Sequence, residues 1–214
     1  MSWSARILEH LRWRLGLTPE ARSRRAIRRL GLQETDTVID CGANVGDMTA
    51  VMAESGATVH AFEPNPHACL VLRKKFERNP RVHIQEAAVH VSNGTLRLYL
   101  HENSSQDEVY WSNGSSLLAD KPNVSDERFV EAQTVDLAAF IDALPGRIRL
   151  IKMDIEGAEV EVLRRLIEAG SLDRIDVLFV ETHEDKMPWL EPLTAKLKND
   201  LAAHPTCQAR FDWV

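Results

Sequence analysis

Between Thr37 and Glu181, strand-sized apolar runs alternate with helix-sized amphipathic ones, and this alternation restricts the fold more than any other property of the chain. Thr37-Val38-Ile39-Asp40, Thr58 to Phe62, Arg81 to Gln85, Phe129 to Val135, Ile148 to Asp154 and Asp176 to Glu181 read as strands. Helices are predicted after the glycine turn at Gly42 (through Ala53), from the Asn65-Pro66 cap (carrying Leu70, Val71 and Phe76), from Asp136 to Leu144, and from Ala158 to Ala169 before Gly170. Strands joined by helical crossovers pair in parallel, so an α/β, doubly wound, mostly parallel sheet with helices on both faces is expected.

One interval breaks the alternation. Asn93-Gly94 is a turn signal between two β-like runs, Thr95 to Leu100 alternates as a strand, and residues 101–127 are polar, Ser- and Asn-rich and without period. They read as an inserted β-hairpin and loop within a domain spanning 32–214. Residues 182–214 hold one helix, Trp189 to Ala203, and one closing strand, which looks short for a seven-stranded sheet.

Residues 1–31 read as a basic helical arm. Trp3, Ile7, Leu11 and Leu15 form one helical stripe, and Thr18-Pro19-Glu20 starts a second helix ending at Gly31. The formal net charge of −6 therefore hides a split: residues 1–30 carry eight arginines against two acids, and the remaining chain sums to −12. Such an arm could pack on the domain or on a partner subunit in a homodimer, lie on an anionic membrane surface, or bind RNA. No nucleic-acid motif accompanies it, which leaves nucleic acid the least favoured partner. No segment approaches the roughly 20 apolar residues of a membrane span. The N-terminus lacks a secretory h-region, and Cys41, Cys69 and Cys207 are odd in number and widely spaced. A reducing, cytoplasmic setting is expected.

In a sheet of this kind ligands bind beyond the carboxyl ends of the strands, near the reversal of strand order. After the first strand, Asp40-Cys41-Gly42-Ala43-Asn44-Val45-Gly46-Asp47 offers a glycine turn but not G-x-G-x-x-G, because Asn44 and Asp47 stand at glycine positions. Asp47 repels a diphosphate at the helix N-terminus. A cofactor with positive charge and no phosphate, S-adenosylmethionine, meets the constraint. After the second strand Glu63 is placed to accept hydrogen bonds from ribose hydroxyls, and after the third, Glu86 and Ala87 stand where an adenine ring would lie.

Asp154 ends the most apolar strand, so its carboxylate should emerge at the ligand edge, with Lys152 on the same face. Glu181 and His183, also two apart, could project toward the same pocket. Asp154 and His183 are candidates to deprotonate or orient an acceptor hydroxyl. Asp154, Glu156, Glu181 and His183 could instead hold a divalent metal. In the loop, Tyr110, Trp111, Ser115 and Ser116, together with Asn113, mix aromatic and polar groups in a way that suits a polyhydroxylated acceptor.

Asp40-Cys41-Gly42-Ala43-Asn44-Val45-Gly46, Phe62-Glu63-Pro64, Thr134-Val135-Asp136-Leu137, Lys152-Met153-Asp154-Ile155-Glu156-Gly157-Ala158-Glu159 and Glu181-Thr182-His183 together resemble the FkbM family of S-adenosylmethionine-dependent methyltransferases. The resemblance covers roughly 35–185. It implies a class I, Rossmann-like methyltransferase fold and O-methylation of a saccharide or natural-product hydroxyl. It also implies that Asp40, Gly42, Asn44 and Gly46 belong to the cofactor site, that Glu63 holds the ribose, and that Asp154 sits beside the methyl group. The alternatives are an RNA methyltransferase using the basic arm and a protein that binds the cofactor without turnover.

Overall fold

A computed structural model describes residues 18–211. The stripe Trp3 to Leu15 lies outside the described residues. The described chain begins with helix α1 (Pro19–Arg29), capped by Thr18, whose hydroxyl oxygen accepts from the Ala21 amide at 3.3 Å. Strands and helices then alternate as β1 (Thr37–Cys41), α2 (Asp47–Ala53), β2 (Thr58–Phe62), α3 (Pro66–Phe76) and β3 (Val82–Gln85). Asn65 and Asp136 cap the helices that follow them, each through a side-chain oxygen accepting two backbone amides.

The insert follows: β4 (Ala88–His90), β5 (Gly94–His101), a 3-10 turn over Tyr110–Gly114, and β6 (Val124–Asp136). These three strands form a separate sheet ordered β4-β6-β5. β6 starts five residues earlier than the apolar pattern predicts. Ser125 to Arg128 are polar and carry no alternation; they fill the bulge between the Phe129–Tyr99 and Val124–His101 pairs, through which the strand continues. The irregular loop is correspondingly shorter.

The chain returns through α4 (Leu137–Ala143), β7 (Ile148–Met153), α5 (Glu159–Glu168), β8 (Ile175–Val180), α6 (Glu191–Ala202) and β9 (Gln208–Arg210). The main sheet has six strands in the order β3-β2-β1-β7-β8-β9, every pair parallel, and the closing strand is a three-residue edge. Its strands bury side chains on both faces. Ile39, Ile151, Met153, Leu178 and Val180 meet α4, α5 and α6 on one side. Val38, Val59, Leu150, Val177 and Phe179 pack with Ile27 of α1 and Met52 of α2 on the other. No helix among the described residues is long and apolar enough to cross a membrane.

The described half of the basic arm is thus part of the domain. Ile27 is 1% exposed, Arg28 forms a bidentate pair with Glu54, and Arg24 lies 3.7 Å from Asp47.

Candidate active site

The strand order reverses at β1, which lies between β2 and β7, and the carboxyl ends of β1 and β7 meet closely. Gly42 has φ +79, and a Cβ there would stand 1.8 Å from the Asp154 carbonyl oxygen. The Asp154 amide in turn donates to Cys41 O at 3.1 Å. Two hollows share this junction. An inner cavity runs past Phe62, Glu63, Ala87 and Leu98 under the insert. An open cleft of ≈ 690 Å³ runs between α1, the β1 turn, the insert and Glu181. Gly42, Asn44, Asn113, Asp154 and Glu156 line both.

Glu63 organises the floor of the cavity. One of its oxygens accepts the Asn44 amide at 2.7 Å and the other the Asn65 amide at 2.8 Å. Asn44 has φ 49, a left-handed conformation that asparagine tolerates better than most residues. Burial pushes the Glu63 carboxyl up to about 7, against those two amide hydrogen bonds.

Beneath the junction lies Lys152, 3% exposed, whose Nζ donates to Gly42 O at 2.7 Å and sits 3.4 Å from Asp154 and 3.5 Å from Asp40. Burial alone would lower its pKa, but the flanking carboxylates of Asp154 and Asp40 raise it. Asp40, expected at the cofactor, is fully buried. Its other oxygen accepts from the Thr49 hydroxyl at 2.6 Å, and it lines neither hollow. It supports Lys152. Gly46 corrects the expectation in the same way. A Cβ there would come within 2.5 Å of Leu72 and 2.7 Å of Phe76, so this glycine lets α2 start against α3. Glu86 also lies outside the cavity, its carboxylate paired with Arg73 at 3.2 Å, while Ala87 lines it.

His183 is 2% exposed and enclosed by acids: Nδ1 lies 3.1 Å from Glu159, and Nε2 lies 3.3 Å from Glu156 and 3.6 Å from Asp154. Glu159 also accepts the amides of Ile155 and Gly157, which fixes the turn that holds Glu156 at φ 56. Burial disfavours an imidazolium, but Glu159, Glu156 and Asp154 outweigh it and raise the pKa to about 9. A ring already protonated at neutral pH cannot take a proton from an alcohol, so the base role expected of His183 gives way to that of a buried cation.

Stability should therefore depend on this proton. The folded-state pKa lies above the ordinary 6.5, so the contribution is complete below about pH 6.5 and is lost as pH rises through about 9. The shift corresponds to a contribution on the order of 3 kcal/mol. The melting temperature should fall by about 5–10 °C between pH 7 and pH 9.5, and His183→Gln should flatten that slope. Equal slopes in the two proteins would refute it.

Glu181 differs from its neighbour. It lines the cleft beside Asp154, and burial, reinforced by the Asp154 charge, pushes its carboxyl up to about 7. Among the described residues, Asp154, Glu156 and His183 can bring ligand atoms within 4.8 Å of one another, a cluster that does not include Glu181. The same carboxylates already face Lys121, Lys152 and Lys186 as well as the imidazole.

The insert divides its residues between the hollows. Tyr110 is 68% exposed and lines the cleft. Ser115 and Ser116 instead line the inner cavity, because the hairpin folds back over the strand ends. Ser115 Oγ accepts from Asn65 Nδ2 at 3.2 Å, and Ser116 Oγ donates to Glu156 O at 2.7 Å. Trp111 lines neither, since its ring stacks on His101 at 4.3 Å. Residue patterns did not reveal Ser112, which accepts from Asn44 Nδ2 at 3.1 Å, or Lys121, a lone lysine in a polar stretch.

Comparison with known proteins agrees with this geometry. The family model described as the methyltransferase FkbM domain matches residues 40–199. The chain is 26% identical over 199 residues to Methyltransferase 1 of Beauveria bassiana, covering 83% of this chain and 75% of that one. It is 27% identical over 154 residues to the hexuronic acid methyltransferase AglP of Haloferax volcanii, covering 71% and 57%. Its fold is similar to that of the methyltransferase FkbM from Methylobacillus flagellatus, with a TM-score of 0.51 at 16% identity. That likeness covers 83% of this chain but only 40% of that structure. With its motifs, strand order and family match in agreement, the chain belongs to the FkbM methyltransferase family.

Proposed function

We propose that the protein transfers a methyl group from S-adenosylmethionine to a hydroxyl of a small polyhydroxylated acceptor, a saccharide or a glycosylated natural product. The observation that supports this reading is the junction of the two hollows at Asp154, a pair of neighbouring spaces with one common wall that suits a donor and an acceptor. The inner cavity suits a nucleoside. Phe62, Ala87 and Leu98 offer apolar surface to a ring, and each Glu63 oxygen, having taken one amide, keeps a lone pair for a ribose hydroxyl. Gly42 lets the β1 turn close against the Asp154 carbonyl, where a side chain could not fit, and so holds the shared wall in place.

When bound, the donor supplies an electrophilic methyl on a sulfonium centre. The chain's part is to orient the acceptor oxygen and remove its proton. Asp154, held between Lys152 and His183, is suited to orientation and to the positive charge of the donor. Glu181, near half-ionised at neutral pH, is suited to take the proton. Alignment of the reacting atoms supplies much of the remaining acceleration.

The cleft argues against RNA. It presents Glu20, Asp47, Asp107, Asp154, Glu156 and Glu181 against Lys152 and Lys186, a balance that repels phosphates. The named activity of AglP supports a sugar-type acceptor. Titration calorimetry with S-adenosylhomocysteine, followed by methyl transfer to neutral sugars, uronic acids, phenols and RNA, tests the proposal. Binding with transfer to a sugar hydroxyl is expected; absence of binding, or transfer to RNA alone, overturns it, and binding with no transfer at all favours the non-catalytic reading. Turnover should be unchanged by a chelator, because lysines and an imidazolium already balance the acids around Glu156. Loss in chelator with recovery on adding manganese would reverse that expectation.

A further inference from the structure

The insert forms the outer wall of the inner cavity through Ser112, Asn113, Ser115, Ser116 and Leu117. It is joined to the strand ends by the two hydrogen bonds from Asn44 and Asn65, by the Ser116 bond to Glu156 O, and by an ion pair between Glu108 and His67 of α3 at 2.9 Å. Within the insert, Ser116 bridges to Tyr99 of β5 at 2.8 and 3.0 Å. Behind the wall lies Lys121, whose side chain has no exposure and lines neither hollow. Its Nζ donates to Gly114 O at 2.7 Å and pairs with Glu156 Oε2 at 2.7 Å. Gly114 has no latitude of its own, since a Cβ there would lie 2.5 Å from His101. One ammonium thus joins the middle of the wall to Glu156, one of the residues that face both hollows.

A buried ion pair alone is weak evidence of purpose, since an apolar pair of like volume does as well. The second contact is what distinguishes Lys121: it is made to a main-chain carbonyl of the 3-10 turn, so a single side chain ties that turn to Glu156. We propose that Lys121 is a positioning residue for the methyl donor, fastening the wall at Gly114 to Glu156 so that the donor is enclosed and kept apart from the acceptor cleft. This rests on the assignment of the inner cavity to the donor.

The test is Lys121→Met made in the native chain and in a Glu156→Gln background, with S-adenosylhomocysteine Kd, donor KM and kcat measured in all four proteins. Losing a charge-assisted hydrogen bond to the wall should raise Kd and donor KM about 10- to 100-fold, with kcat at saturating donor within about 3-fold. The rise should persist in the Glu156→Gln background, where no carboxylate is left unpaired, because the Gly114 contact is still lost. If Lys121 only balances Glu156, the lysine substitution will have no effect in that background, and the proposal fails. Should Lys121→Met alone not fold, the double variant against Glu156→Gln carries the comparison. Failure of the native chain to bind S-adenosylhomocysteine overturns the donor assignment and this inference together. Equal Kd values with the native chain binding normally overturn only the role of Lys121.

Discussion

Gly42→Ala should lower the melting temperature by about 10 °C and weaken S-adenosylhomocysteine binding at least about 100-fold. Two costs combine. At φ +79 an alanine is strained by about 1–2 kcal/mol. Its Cβ would also stand 1.8 Å from the Asp154 carbonyl oxygen and 3.0 Å from the Asp154 carbonyl carbon, which are backbone atoms without a rotamer to escape through. Forced repacking adds about 1–3 kcal/mol. In a chain of this size each kcal/mol is worth about 2–4 °C. The binding loss follows because the only relief is to push the β1 and β7 ends apart, and a displacement of about 1 Å at a site can cost 100-fold. Gly31→Ala is the control: φ is +59, but nothing lies within 4 Å of the added Cβ, so only the conformational strain should register. Equal losses in the two variants would show that the close approach to Asp154 does not matter.

The same junction shows why parts of the site were legible in the sequence and others were not. Strands β1, β2, β7 and β8 read correctly because each is a short apolar run ending in a polar residue, and the parallel sheet follows from the helices between them. Glu63 and Asp154 follow from their places just beyond a strand, whereas Gly42 and Asn44 are implied as cofactor-site residues by the family motif. Position cannot tell which neighbours turn inward. Asp40 precedes the strand end by one residue and is spent on Thr49 and Lys152. Gly46 is required by Leu72 and Phe76, contacts that only the packed helix α3 reveals.

The failures in the insert have a different origin. Residue types suit Ser115 and Ser116 to an acceptor but do not say which hollow they face. Pairing of β6 with both β4 and β5 folds the hairpin back over the strand ends, and both serines line the inner cavity. Lys121 meets Glu156 across 35 positions of sequence, with no periodicity or motif to announce it. The split in charge also resolves in part: Arg24 and Arg28, counted with a separate basic arm, face Asp47 and Glu54 of the domain itself.

The protonation of His183 was equally hidden, because it depends on Glu159, and that carboxylate's orientation is set by the turn amides it accepts. The consequence falls on its neighbour. With His183 held as a cation and Asp154 between two cations, Glu181 is the acid in the cleft whose environment leaves it both able to ionise and basic enough near neutrality to accept a proton. Glu181→Gln should therefore reduce kcat by about 10²- to 10⁴-fold. S-adenosylhomocysteine binding should stay within a few-fold, since Glu181 lines the cleft and not the inner cavity. The pH profile carries the sign. The carboxylate is the active form and its pKa is raised to about 7, so kcat in the native protein should climb with pH through about 7 and then level. The variant should lose that limb. Asp154→Asn should instead keep a rising limb at reduced kcat, because the proton acceptor is still present. A Glu181→Gln protein whose profile matches the native one would move the base to Asp154, and a profile unchanged in both variants would leave orientation alone to account for the rate.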